Sequence, residues 1–283
     1  MWAQFVRGGL MRILHKQGRK LLVAALVCLI CPAVLRAADE TTLTKEQIEN
    51  FLLSAKIVSS KQAGKGITGT WRLTLSDGTT THDASFQAIN DTKPTMQLAT
   101  GTELGFVDSY RYNIAAFRLA ELLGLDDIVP VYVERKWKGD SGSLSWWLPV
   151  KMDEKERVAQ KIAVPDPDAW NNQMYRIRVL DQLVYDSDAN LTNVLITEDW
   201  KIWRIDFTRA FRLHKELKST SDLAHCDRQL FTKLKALNQD ELLEKTKHYL
   251  NKDEVKALMA RRDKIVEQFQ KLIAEKGENE VLY

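Results

Sequence analysis

Residues 186–208 read DSDANLTNVLITEDWKIWRIDFT. Asp188 and Asn193 stand five positions apart, and Asp206 follows thirteen residues later. That spacing suits a base and two metal ligands for phosphoryl transfer: an Asp on a short loop orients an attacking hydroxyl, while an Asn at the loop's end and an Asp on the next hairpin hold a divalent cation. The intervening residues supply the frame. Val194, Leu195 and Ile196 form an apolar β run, Glu198-Asp199 a turn, and Trp200 to Ile205 a return strand that delivers Asp206 at its end. Asp and Asn are also common turn residues, so the triplet alone does not fix a function. The same run opens like a calcium loop, but its sixth position is Leu191 where Gly is needed and its twelfth is Thr197 where Glu is needed, which rejects a calcium hand.

Residues 1–38 are a different kind of sequence. Arg7, Arg12, Lys16, Arg19 and Lys20 precede an apolar stretch from Leu21 to Leu35 that is broken by Pro32, and Ala37-Ala38 follow. This is the pattern of a signal peptide, with an uncleaved N-terminal anchor as the alternative. The expectation is export to a periplasm, the extracellular space or a secretory lumen, with membrane attachment only through that segment. The leader carries six Lys/Arg and no Asp/Glu, so the chain's 41 basic and 38 acidic residues leave 35 and 38 beyond it, a net of −3. The basicity belongs to the leader and gives no support for nucleic-acid binding. Cys28 and Cys31 lie in its apolar core, and Cys226 alone remains, so no intramolecular disulfide staples the rest. His82, His214, His225 and His248 show no metal spacing.

Beyond the leader the chain is long enough for one large domain or for two lobes sharing a cleft. Thr44 with Gln47 makes a capping box before Ile48, Phe51 and Leu52. Strands are expected at Ala55–Ser59, Thr70–Leu75 and Asp83–Ile89. Asp108 and Ser109 are read as the cap of an amphipathic helix carrying Ile114, Phe117, Leu119 and Leu123 and stopped by Gly124. Two further strands, Ile128–Trp137 and Ser143–Val150, are joined by GDSG. From Asp166 the pattern is mostly helical: Trp170–Tyr185, running directly into the DANLTN loop, then Phe231–Leu237, Gln239–Tyr249 and Asp253–Lys276.

Gly64-Lys65-Gly66-Ile67-Thr68-Gly69 is a GxGxxG that opens a strand rather than a helix, the context of a glycine-rich phosphate loop rather than of a dinucleotide fold. The order of parts, and the segment DSYRYNIAAFRLAELLGLDDIVPVYVERK (108–136), resemble the atypical kinase-like superfamily that holds phosphoinositide kinases, HipA-type kinases and secretory-pathway casein kinases. The resemblance covers roughly residues 55–265. It implies an α+β, two-lobed kinase-like fold, with an antiparallel-sheet N-lobe containing one helix (39–150) and a mostly helical C-lobe (151–283). It also implies Mg-ATP (or Mn²⁺) as cofactor, Asp188 as base, Asn193 and Asp206 as metal ligands, Gly64, Gly66 and Gly69 over the phosphates, and Leu148-Pro149-Val150 as the adenine-facing hinge.

Two positions depart from that pattern. The third strand should carry a phosphate-gripping Lys and the following helix a Glu, but Gln87 and Asn113 stand there. Such an amide pair can hydrogen-bond across the same gap, yet it brings no positive charge to phosphate. Lys61, Lys65 or Lys93 are the candidate replacements for the cation, and Glu103 for the acid. Arg209 is a candidate for a phosphate contact or a salt bridge clamping the segment after Asp206. The expected activity is transfer of the ATP γ-phosphoryl group to a hydroxyl of a protein, sugar or lipid headgroup. The alternatives are a pseudokinase that binds nucleotide or a protein partner, and an AMP-transferring enzyme on the same fold.

Overall fold

The computed structural model describes residues 43–63, 69–98 and 101–283. The expected leader, and Gly64, Lys65 and Gly66 of the glycine-rich loop, lie outside the described residues.

Helix α1 (Lys45–Ser54) begins at the Thr44–Gln47 capping box and buries Phe51 and Leu52. Its C-terminal carbonyls are capped from a distance: the Arg135 guanidinium donates to Leu52 O and Ala55 O, each at 2.6 Å. Strands β1 (Lys56–Gln62), β2 (Trp71–Ser76) and β3 (Thr81–Gln87) follow. Inward-facing Leu73, Leu75, Ala84 and Phe86 show the alternation of a half-buried sheet. A hairpin absent from the sequence reading comes next, β4 (Asn90–Leu98) with β5 (Gly101–Ser109).

Helix α2 (Arg111–Leu123) buries Ile114, Phe117, Leu119 and Leu123, and stops at Gly124, whose φ of +68° is the left-handed conformation that favours glycine. Its start differs from expectation. Asp108 and Ser109 belong to β5, Tyr110 is the N-cap with its carbonyl accepting from Asn113 N at 3.2 Å, and Ser109 Oγ accepts from Arg111 N at 3.3 Å. Strands β6 (Tyr132–Trp137) and β7 (Asp140–Trp146) complete a five-stranded antiparallel sheet in the order β1-β2-β3-β7-β6, with α1 and α2 packed on it. One close approach fixes a residue type here: a Cβ on Gly142 would lie 2.5 Å from Gln87 O and 2.6 Å from the Phe86 ring.

The strand expected to run to Val150 ends at Trp146, with Trp147 N–H still donating to Asp83 O at 3.1 Å, and Pro149, which has no N–H, keeps the following residues from rejoining the ladder. The chain instead crosses to the helical lobe, where β8 (Val150–Asp153) joins β9 (Val194–Thr197) and β10 (Ile202–Arg204) in a second sheet. Between them lie α3 (Glu154–Ala159), opened by an Asp153–Glu156 capping box, and α4 (Pro167–Val184), capped by Asp166 with Pro167 at the first helical position. Helices α5 (Arg228–Ala236), α6 (Gln239–Thr246), α7 (Lys252–Lys276) and α8 (Glu278–Val281) complete the C-lobe. A continuous apolar core runs through both lobes, joining Leu73 and Ile114 to Leu180, Phe207 and Leu258.

Candidate functional site

Gln87, at the end of β3, and Asn113, in the first turn of α2, meet across the cleft wall. Asn113 Nδ2 donates to Gln87 Oε1 at 2.8 Å and to Ser143 Oγ at 3.1 Å. Asn113 Oδ1 accepts from Phe207 N, next to Asp206, at 2.7 Å. Gln87 Nε2 donates to Thr70 Oγ1, beside Gly69, at 3.3 Å. The backbone N–H of Phe207 fixes the orientation of both amides. It requires the oxygen of Asn113, which turns Nδ2 to Gln87 and leaves the Gln87 nitrogen for Thr70. A relay of neutral hydrogen bonds therefore links the end of the glycine-rich segment to the residue after Asp206, with both amides buried.

The DANLTN loop is held from below. Asp186 is fully buried: its Oδ1 accepts from Asp188 N at 2.9 Å, and its Oδ2 takes the Arg204 guanidinium at 2.5 Å. Arg204, itself completely buried, also donates to Asp181 Oδ1 at 2.9 Å. Lys218 Nζ donates to Asp186 O at 2.6 Å. Asn190 Oδ1 accepts from Thr192 N and shapes the 3₁₀ turn Leu191–Asn193. Asn193 Nδ2 reaches Asp188 O at 3.4 Å, and Asn193 O accepts from Ile205 N at 3.0 Å, so the loop end is tied to the strand that delivers Asp206. Asp188 itself is exposed.

Asp206 sits at φ +60°, a conformation few non-glycine residues adopt and one concentrated at functional sites. Its Oδ1 accepts from Thr208 Oγ1 at 3.0 Å, and its N–H faces the Tyr132 hydroxyl at 3.4 Å. Burial pushes the Asp206 carboxyl above its ordinary value, and the Thr208 hydroxyl pulls it part of the way back. Asp108, read from the sequence as a helix cap, faces this centre instead. Burial raises its carboxyl, the Thr208 contact and the nearby Arg209 and Arg212 charges pull it part of the way back, the Asp188 charge adds a smaller rise, and its Oδ1 is buried with no hydrogen-bond partner among the described residues. The cleft thus gathers carboxylates without a cation from β3.

The expected substitutes for that cation are placed elsewhere. Lys93 pairs with Asp91 at 2.6 Å on the hairpin, Lys61 is exposed on β1, and Lys65 lies outside the described residues. Glu103 does not join the Gln87–Asn113 pair. It binds Arg209, and Arg212 at 2.7 Å, fastening β5 to the segment after Asp206. Arg209 therefore forms the salt-bridge clamp, while its Nε is buried with no hydrogen-bond partner among the described residues. A cavity of about 800 Å³ opens between β5 and this segment, and Asp188, Ser187 and Lys218 line it too. At the segment expected to be the hinge, Leu148 is buried and Val150 exposed, and Val150 N–H donates to Leu148 O at 2.9 Å. The histidines hold no metal cluster among the described residues; His82, for example, stacks on Trp146 at 3.5 Å between ring centroids. The sequence reading missed Asp108, the Asp181–Arg204–Asp186 foundation and the cavity wall.

No protein-family model matches the chain, and no curated protein does. Solved structures match in fold. Hydra Fam20 with sugar aligns at a TM-score of 0.61, with 18% identity, over 84% of this chain and 91% of that one. The Golgi casein kinase with Mn/ADP bound aligns at 0.56, with 14% identity, over 85% and 79%. The Helicobacter pylori proinflammatory kinase CtkA aligns at 0.51, with 11% identity, over 80% and 98%. At these identities the likeness is one of fold, and the chain has the two-lobed kinase-like fold.

Proposed function

We propose that this chain is a kinase-like phosphotransferase that moves the γ-phosphoryl group of ATP to a hydroxyl acceptor. The observation that carries the proposal is the joint placement of Asp188, Asn193 and Asp206, with the amide relay connecting the glycine-rich segment to Phe207. The donor chemistry fits a hard divalent cation. Asp206 offers a carboxylate and Asn193 an amide oxygen to which nothing donates among the described residues. Mg²⁺ is characteristically held by one or two protein oxygens plus substrate phosphates. That one of the structural neighbours is a kinase with Mn/ADP bound supports the same choice. Bound there, Mg²⁺ or Mn²⁺ would supply neutralisation of the phosphate oxygens.

The chain's own residues do the rest. Asp188 borders the open cavity, and its backbone is held by the buried Asp186, so its carboxylate orients the acceptor hydroxyl and accepts its proton. As the acceptor oxygen–phosphorus bond forms, the bond from phosphorus to the β-phosphate oxygen breaks and ADP leaves. Gly64, Gly66 and Gly69 would cover the phosphates, and Leu148 and Val150 the adenine. Gln87 and Asn113 preserve the geometry of the third strand and helix but add no charge. Charge-assisted contacts are roughly twice as strong as neutral ones, so phosphate binding at this position is weakened. The leader-like composition of residues 1–38 supports an exported compartment for the reaction, and no helix among the described residues is long and apolar enough to cross a membrane.

The test is mass spectrometry of acceptors incubated with Mg-ATP. The expected product carries phosphate, and Asp188→Asn lowers turnover by about 10²-fold or more while retaining nucleotide binding. Products carrying AMP would instead assign the fold to nucleotidyl transfer. The neutral Gln87–Asn113 pair favours one second reading, a pseudokinase: nucleotide binding without turnover on any acceptor would establish it and displace the first.

A further inference from the structure

The register of the five-stranded sheet puts a cation on the roof of the cleft. Arg72 on β2 pairs with Ser85 on β3, Ser85 with Ser145 on β7, and Ser145 with Tyr132 on β6, so the four side chains form one row on one face. Tyr132 reaches Asp206 N from that row, and Gln87, two residues beyond Ser85, reaches Asn113, so this face is turned to the cleft. Ser85 and Ser145 are short, and the roof is therefore low in the middle and rises at Arg72 and Tyr132. The Arg72 guanidinium is fixed within its own plane. Its Nε donates to Asp83 Oδ2 at 2.5 Å, its Nη2 pairs with the same carboxylate, and Thr74 Oγ1 holds Asp83 Oδ1 at 2.7 Å. One face lies over the Trp147 ring, 4.3 Å from its centroid, and 33% of the side chain remains exposed. Bonds made in the plane do not consume the other face, which can stack on a second flat ring.

The position of this stack matches the base end of a nucleotide rather than its phosphates. Trp147 immediately precedes Leu148-Pro149-Val150, and three residues separate Arg72 from Gly69, roughly 10 Å of extended chain at about 3.4 Å per residue. The segment after Trp147 is poorly equipped to read the edge of a base. Pro149 has no N–H, and the N–H of Val150 is taken by Leu148 O at 2.9 Å. We infer that Arg72, steadied by Trp147 and Asp83, is the platform on which the nucleobase stacks, so that the site takes a purine by its ring face rather than adenine by its edge. Stacking follows ring area and tolerates different bases, so ATP and GTP are both accepted and pyrimidine nucleotides are held weakly. The inference rests on the phosphotransferase reading for the presence of a nucleotide in the cleft, and it requires no transfer.

The test is calorimetric titration of the full chain, in Mg²⁺, with ATP, GTP, CTP and inorganic tripolyphosphate. ATP and GTP should bind within about threefold of each other, and CTP about tenfold or more weakly. Arg72→Met should weaken ATP and GTP by about tenfold or more and leave tripolyphosphate within about twofold, which also shows that the variant is folded. Arg72→Lys keeps the charge and a partner for Asp83 but loses the planar face, so it should not restore purine binding; it decides the matter if Arg72→Met does not fold. Unchanged purine binding in Arg72→Met, or full binding in Arg72→Lys, overturns the platform. A parallel loss of tripolyphosphate overturns it too, by assigning Arg72 to the phosphates, and so does a preference for ATP over GTP of about tenfold or more, by showing that an edge is read. In each of these cases the wild type binds nucleotide and the phosphotransferase reading stands. A wild type that binds neither nucleotide nor tripolyphosphate overturns that reading and the platform with it.

Discussion

Asn113→Ala removes the centre of the amide relay, and its cost follows from the partners it strands. Phe207 N–H loses its acceptor, Gln87 Oε1 loses its donor, and both are buried; Ser143 Oγ can turn to another partner. A buried polar group left without a partner costs about 1–3 kcal/mol, so two give about 2–6 kcal/mol before any cavity term. Against a typical domain stability of about 5–15 kcal/mol this is a large fraction. Gln87→Ala should cost less, because Asn113 Nδ2 keeps its bond to Ser143. If the two amides act as one unit, the double variant should lose less than the sum of the singles, with a coupling of about 0.5–3 kcal/mol. Urea unfolding monitored by tryptophan fluorescence measures all four corners of the cycle. An Asn113→Ala loss under about 1 kcal/mol, or strict additivity, would refute the relay.

Arg204→Leu leaves Asp186 buried without its cation and should destabilise by about 3–5 kcal/mol, read by the same unfolding method. Gly142→Ala should cost about 1–3 kcal/mol, because its Cβ meets Gln87 O and the Phe86 ring; a neutral effect would place β3 and β7 farther apart than described. Asp206 has the opposite sign to an ordinary paired carboxylate. Its raised folded value means that the folded state holds the proton longer, so unfolding stability falls as pH rises from the unfolded value of about 3.8 through the folded one. Asp206→Asn should therefore stabilise the nucleotide-free chain at neutral pH, with the gain vanishing in acid; a gain that is independent of pH would contradict this origin.

The site was legible where chemistry is written in local spacing. Asp188, Asn193 and Asp206 share one loop and one hairpin, and the identity of Gln87 and Asn113 at the ends of β3 and the start of α2 foretold their meeting. The β4–β5 hairpin was not legible, because NDTKPTMQL is largely polar, contains Pro94 and leaves most of its surface in solvent, so it lacks the alternation that marks a half-buried strand. Asp108 was misread because an Asp-Ser pair before a helix is a strong capping signal, and only the hairpin's pairing assigns both residues to a strand. The ties of Glu103 to Arg209 and Arg212, and of Asp186 to Arg204, join residues that no short motif links. Helix α3 and its Asp153–Glu156 capping box also had no counterpart in the sequence reading.

The most direct measurement is thermal unfolding of the wild-type chain and of Asp206→Asn, each with ATP, with Mg²⁺ and with both. The account predicts stabilisation of the wild type by ATP and Mg²⁺ together, amounting to about 2.7 kcal/mol when free nucleotide is a hundredfold above Kd, and its loss in the variant. Absence of any wild-type shift, or an equal shift in Asp206→Asn, would contradict a cation and nucleotide held at Asp206.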